Sequence, residues 1–129
     1  MYSHMMVGSN DIERSKKFYD ATFTAIGGQP GIVDDKGRLI YMYNDGLFLV
    51  TKPIDGAPAS PGNGMTIGIA METTEQADAW HAAGVANGGK AIEDPPGVRD
   101  SATMTLYLAY LRDPDGNKLC ALKRRGALR

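Results

Sequence analysis

The stretch Leu106-Tyr107-Leu108-Ala109-Tyr110-Leu111-Arg112-Asp113-Pro114-Asp115-Gly116-Asn117-Lys118-Leu119-Cys120 decides the fold. Two apolar-rich runs flank Asp-Pro-Asp-Gly. Proline presets the first corner of a turn, and glycine permits the left-handed exit. A type I turn with a bulge at Gly116 pairs Arg112 with Lys118 and Tyr110 with Cys120, so those four share one face. A one-residue slip would bring Tyr107 to that face instead.

The same pattern occurs earlier. Arg38–Tyr43 and Leu47–Lys52 flank Asn44-Asp45-Gly46, a strong hairpin signal. By the same rule Phe48 shares a face with Val50, with Met42 as their neighbour. Each hairpin is preceded by a helix. Asn10 can cap the first, with Glu13 three residues on, and Ile12, Tyr19, Phe23 and Ile26 form its apolar face. Thr73 or Thr74 can cap the second, with Gln76 following. Ala77, Trp80, Gly84 and Val85 mark its buried side. Gly27-Gly28 and Gly88-Gly89 punctuate the two ends. Strands are expected at Tyr2–Gly8 and Met65–Met71 ahead of the helices, and weaker ones near Gly31–Asp34 and Lys90–Glu93.

The chain is thus one paragraph written twice. Gly46 precedes Val50 by the same interval that separates Gly116 from Cys120. The second copy carries a longer insert, Asp94 to Thr103. Modules spanning 1–54 and 65–125, with a Pro/Gly-rich connector at 55–64, make a single domain over 1–129. Neither half would easily bury a core alone. The expected class is α+β: tandem βαβββ modules whose curved sheets form a cleft.

Charged residues at 22% and hydrophobic residues at 43% are ordinary for a globular chain, which excludes a disordered or fibrous class. Net charge is −1 and the basic residues are scattered, apart from Lys123, Arg124, Arg125 and Arg129 at the tail. No nucleic-acid or membrane partner is expected. One cysteine, Cys120, no signal-peptide pattern and no apolar run of membrane-spanning length point to the cytoplasm.

Three quoted stretches carry a resemblance that covers nearly the whole chain. Ser3 to Asp20 looks like an opening strand and helix, Gly62 to Ala70 like the start of a second module, and Arg112 to Cys120 like a closing hairpin. In order and spacing the chain resembles the vicinal oxygen chelate superfamily, which includes glyoxalase, bleomycin-resistance and extradiol-dioxygenase relatives. The resemblance implies a cleft, a homodimer and, in the enzymes, a divalent metal held from the first and last strand of each module. Those positions here are His4, Val50, Thr66 and Cys120. Relatives often place His, Glu or Gln, His and Glu there. Only His4 matches, and one His with one Cys falls short of three protein ligands. No metal or other cofactor is therefore expected.

His4 admits two readings: a hydrogen-bonding group or general base in the cleft, or a relic satisfied by a neighbour. Cys120 reads as a small buried residue rather than a reactive thiol. Thr66 could bond a ligand or simply favour a strand. Arg99, in the long insert, could hold a carboxylate or be solvated. His81 reads as a boundary residue of the second helix. His4, Thr66, Cys120 and Arg99, with Phe48, Val50 and Tyr110, outline a mostly apolar cleft for a small organic ligand. The leading reading is a metal-independent small-molecule-binding protein. Alternatives are a glyoxalase-like lyase, isomerase or dioxygenase-type enzyme with an atypical metal site, with His4 as its catalytic residue, and a non-catalytic structural or regulatory homodimer.

Overall fold

The computed structural model describes residues 1–125; Arg129 of the basic tail lies outside the described residues. The first module runs β1 (Met5–Gly8), α1 (Ile12–Ala25), β2 (Ile32–Val33), β3 (Leu39–Tyr43) and β4 (Gly46–Thr51). The second runs β5 (Ile67–Ala70), α2 (Thr74–Ala86), β6 (Lys90–Ala91), β7 (Gly97–Asp100), β8 (Thr105–Arg112) and β9 (Lys118–Arg124). The longer insert of the second copy contributes a strand, β7, which pairs antiparallel with β8.

The two sheets are mixed and curved. The first has strand order β1-β4-β3-β2 and the second β5-β9-β8-β6, with β7 also on β8. Each module's first strand lies parallel to its last, and the remaining pairs are antiparallel. Both hairpins follow the turn chemistry. Asn44 and Asp45 have φ of 46° and 63°, the positive values that a type I′ turn needs at both central residues. Gly116 at φ 94° closes the second, with its N–H on the Asp113 carbonyl at 2.9 Å.

The first helix is capped one residue later than the sequence reading has it. Asp11 accepts the Arg14 N–H at 3.1 Å, whereas Asn10 turns to the connector. Its amide donates to the Ala59 carbonyl at 3.1 Å and accepts the Ala59 N–H at 2.7 Å. Either residue type can cap; the connector's exposed peptide decides which one does. Thr73 caps the second helix through the Gln76 N–H, and the Gln76 side chain accepts the Glu72 N–H.

One core serves both modules. Phe18, Tyr19 and Phe23 of α1, Tyr41 and Phe48 of the first sheet, and Trp80, Leu111 and Leu119 of the second module belong to it. The modules meet through α1 against α2 and through the 113–117 turn, and β5 faces the first sheet across a cavity lined by Met5, Phe48, Ile67 and Gly68. Each sheet therefore turns one face to the shared core and one outward. Among the described residues no helix is long and apolar enough to cross a membrane.

Candidate functional site

Register assigns every strand residue to a face. Met5, Val7, Tyr41, Phe48 and Val50 alternate onto the core side of the first sheet. Phe48 and Val50, expected in the cleft, are thus core residues, at 8% and 0% exposure. Phe48 packs on Tyr19, with ring centroids 5.0 Å apart. Met42 is not their neighbour either. It pairs with Leu47, is 68% exposed and lies on the outer face with Met6 and Leu49. The residue of β4 that accompanies Met6 is therefore Leu49, which coordinates a metal no better than valine. His4 precedes β1 in the first sheet, is exposed, and makes a 2.7 Å hydrogen bond with Ser3 through Nδ1.

The second sheet brings the other candidates together. Tyr110 pairs with Cys120 and Arg112 with Lys118, as the turn implies. Gly68 lies opposite Cys120, so Thr66, two residues earlier, falls on the same outer face. Arg99 pairs with Leu106, which also places it there. Tyr110, Cys120, Thr66 and Arg99 thus share one surface with Leu108 and Leu122. His4, Phe48 and Val50 do not join them.

Cys120 is 4% exposed and its Sγ donates to the Ala121 carbonyl at 3.5 Å; burial pushes its thiol up, which outweighs the opposing pull of the nearby Tyr110 hydroxyl. Burial also raises the Tyr110 phenol, helped by Cys120. Both are protonated at neutral pH and present hydrogen-bonding groups, not nucleophiles. Native protein is accordingly expected to react with iodoacetamide at Cys120 about tenfold or more slowly than the urea-unfolded chain. Mass spectrometry of timed samples checks this, and equal rates would contradict it. His81 of α2 is half-buried against the Tyr110 backbone, and burial lowers its pKa.

Lys118 ion-pairs with Glu93 and lies 5.0 Å over the Tyr110 ring. Arg99 folds back on its own loop, donating to the Pro95 carbonyl at 2.9 Å and the Asp94 carbonyl at 3.1 Å. Glu93, Lys118 and Arg112 are functional candidates that the sequence reading passed over. The pairing that assembles them depends on sheet register, which joins Lys90 to Arg112 and Arg112 to Lys118.

The four positions at which relatives hold a divalent ion do not fit one within this chain. His4 sits with the first sheet, Val50 is in the core, and Thr66 and Cys120 are on the second sheet. Among the described residues no three His, Cys, Asp or Glu side chains come together as ligands.

The architecture, two strand-helix-strand modules with curved mixed sheets, defines a class of paired-module α+β proteins. Residues 2–121 match the model of the Glyoxalase/Bleomycin resistance protein/Dioxygenase superfamily, and the chain belongs to that family. It is similar to a glyoxalase/bleomycin resistance protein from Albidiferax ferrireducens T118, at 57% identity and TM-score 0.92, over 96% of this chain and 99% of that one. Its fold also matches a glyoxalase-related enzyme from Fulvimarina pelagi, at 17% identity and TM-score 0.72, over 100% of this chain and 96% of that one. A glyoxalase/bleomycin resistance protein/dioxygenase family enzyme from Burkholderia phytofirmans PsJN aligns at 17% identity and TM-score 0.70, over 94% and 96% of the two chains. No curated protein matches the chain.

Proposed function

We propose that this chain is a cytoplasmic, metal-independent small-molecule-binding protein that works as a homodimer. The observation that carries this is the make-up of the second sheet's outer face. Half-buried Tyr110 and exposed Thr66 offer hydrogen bonds beside Leu122 and Gly68, a few polar groups on an apolar floor. Among the described residues the partner of His4 is Ser3, and no carboxylate pairs with it to act as base and ligand. The dimer is supported by the free edges of β1 and β5, each paired on one side, and by exposed Met6, Met42 and Ile32 on the first sheet.

The test has two parts. Purified protein, soaked in turn with Ni²⁺, Zn²⁺, Mn²⁺ and Fe²⁺ and desalted, is expected to retain well below one equivalent of metal by mass spectrometry. Thermal shift against a small-molecule panel is expected to find ligands, because one present at 100-fold its Kd stabilises the fold by about 2.7 kcal/mol. One equivalent of tightly held metal would put the lyase or dioxygenase reading in its place. Light scattering at 13.8 kDa rather than twice that would remove the dimer.

A further inference from the structure

The outer face of the second sheet gathers charge that the sequence disperses. Register sets Lys90 beside Arg112 and Arg112 beside Lys118 in one row, and Arg99, Leu106 and Arg124 in another. Five cations thus share one face, where the Glu93 carboxylate pairs with Lys118, on a chain whose net charge is −1. The remainder of the molecule carries a net negative charge, and this face is an anion-attracting surface.

At the Arg112–Lys118 end the face dips into a depression lined by Pro61, Gly62, Asn63, Thr66, Arg112 and Lys118. Its far wall is the connector, and that wall is fastened. Asn10 clamps Ala59 by two hydrogen bonds, and Pro61 abuts Gly116 so closely that a Cβ there would sit 3.3 Å from the proline ring. Arg112 donates one N–H to the Gly116 carbonyl at 2.8 Å, which orients its guanidinium at the rim. Lys118 is held between the Glu93 carboxylate and the Tyr110 ring. Pro61 and the exposed Met65 give the same depression an apolar side.

We infer that this face binds a small organic acid, with its carboxylate or phosphonate head in the depression at Lys118 and Arg112 and a short apolar body against Pro61 and Met65. Two cations with fork and point-charge geometry suit either head. Glu93 occupies Lys118 in the meantime, as an internal counter-ion that the ligand's head displaces. The inference rests on the small-molecule-binding reading above and narrows it to a substrate class.

The experiment is a calorimetric titration of the full chain with hexanoate, hexylphosphonate, hexanamide and hexylammonium, in low and high salt. Both acids are expected to bind at least tenfold tighter than the amide or the ammonium, and more weakly as salt rises. Lys118→Gln is expected to weaken hexanoate about tenfold, and Glu93→Gln to tighten it several-fold. Both side chains lie outside the core, and matched melting curves confirm that the fold is kept. Equal binding of hexanamide, preference for hexylammonium, or no effect of Lys118→Gln would overturn the inference while leaving the binding reading intact. So would binding of phosphatidylglycerol vesicles without binding of the free acids, because the face would then be a lipid-headgroup surface. If neither these four nor any member of the thermal-shift panel binds, the small-molecule reading itself falls, and this inference with it.

Discussion

Asp113→Ala is expected to cost the fold about 2–4 kcal/mol, because it leaves buried donors without their acceptor. Asp113 is 4% exposed, and its carboxylate is saturated by protein donors. Oδ2 accepts the Tyr19 hydroxyl at 2.6 Å and the Asn117 amide at 2.8 Å; Oδ1 accepts the Asp115 and Asn117 N–H groups at 2.9 Å each. Alanine strands all four. The Tyr19 hydroxyl suffers most, because that side chain is fully buried in the core, where burial and the nearby carboxylate hold the phenol in its protonated, donating form. A buried donor left without a partner loses far more than the net worth of one hydrogen bond.

The loss is also a loss of assembly. The 113–117 turn belongs to the second module, yet it is the first module that it grips. Asn117 donates to the Gly8 carbonyl at the end of β1, and Asp115 takes the Asn10 N–H at 2.9 Å and the Arg14 guanidinium at 2.8 Å. The Arg14–Asp115 pair is half exposed on the arginine side, so screening leaves it a minor contribution. Tyr19→Phe separates the effects. It removes one donor and leaves the carboxylate three, so about 1–2 kcal/mol is expected. Urea unfolding followed by circular dichroism checks both. A cost below about 1 kcal/mol for Asp113→Ala would mean that the turn tolerates water in place of Tyr19 and that the modules are held by helix packing alone.

The turn that matters most energetically was also the most legible part of the sequence. Asp-Pro-Asp-Gly fixes a loop length, loop length fixes register, and register places Tyr110 beside Cys120 with no tertiary information. The first hairpin was equally readable as a hairpin, but not as a face. Phe48 and Val50 do alternate together, yet Leu47 and Leu49 between them are just as apolar. Where both sides of a strand are hydrophobic, alternation says which residues travel together and not which way they point. α1 settles that question by packing Tyr19 and Phe23 against Phe48. The basic rows were hidden for a different reason. Lys90 and Arg112 come together only through antiparallel pairing of β6 with β8, and the strand β7 that carries Arg99 onto the face has exposed, weakly patterned residues. Asn10 and Asp11 are equally good caps in isolation, and the connector's claim on Asn10 is a contact across 49 residues.

Gly89→Ala is expected to destabilise by about 1–3 kcal/mol, although it adds only a methyl group. Both Gly-Gly pairs read as helix punctuation, and the first glycine of each does that work: Gly88 takes φ 98°, beyond the reach of most side chains. Gly89 has no such backbone demand. Its constraint is space. A Cβ there would collide with the Phe18 ring of α1 and sit 2.8 Å from the Gly84 carbonyl and 3.2 Å from the Arg112 carbonyl. A ring can rotate away, but the two carbonyls are fixed by α2 and β8, and the Gly89 N–H is itself bonded to the Gly84 oxygen at 2.8 Å. Relief must therefore come from moving the strand that carries Arg112, which would also disturb the depression beside Lys118. Gly28 supplies the contrast. A Cβ there would meet the Phe23 carbonyl at 3.0 Å and the Tyr43 ring at 3.2 Å, within the first module alone, so alanine should cost stability without reaching the second sheet. Urea midpoints for the two variants, read with the amide shifts of Arg112 and Lys118, distinguish the cases. Displaced signals at those two residues in Gly89→Ala and not in Gly28→Ala are the expected result. Unchanged signals in both would mean that Phe18 and α2 absorb the methyl group and that the strand edge is not rigidly coupled to the helix end.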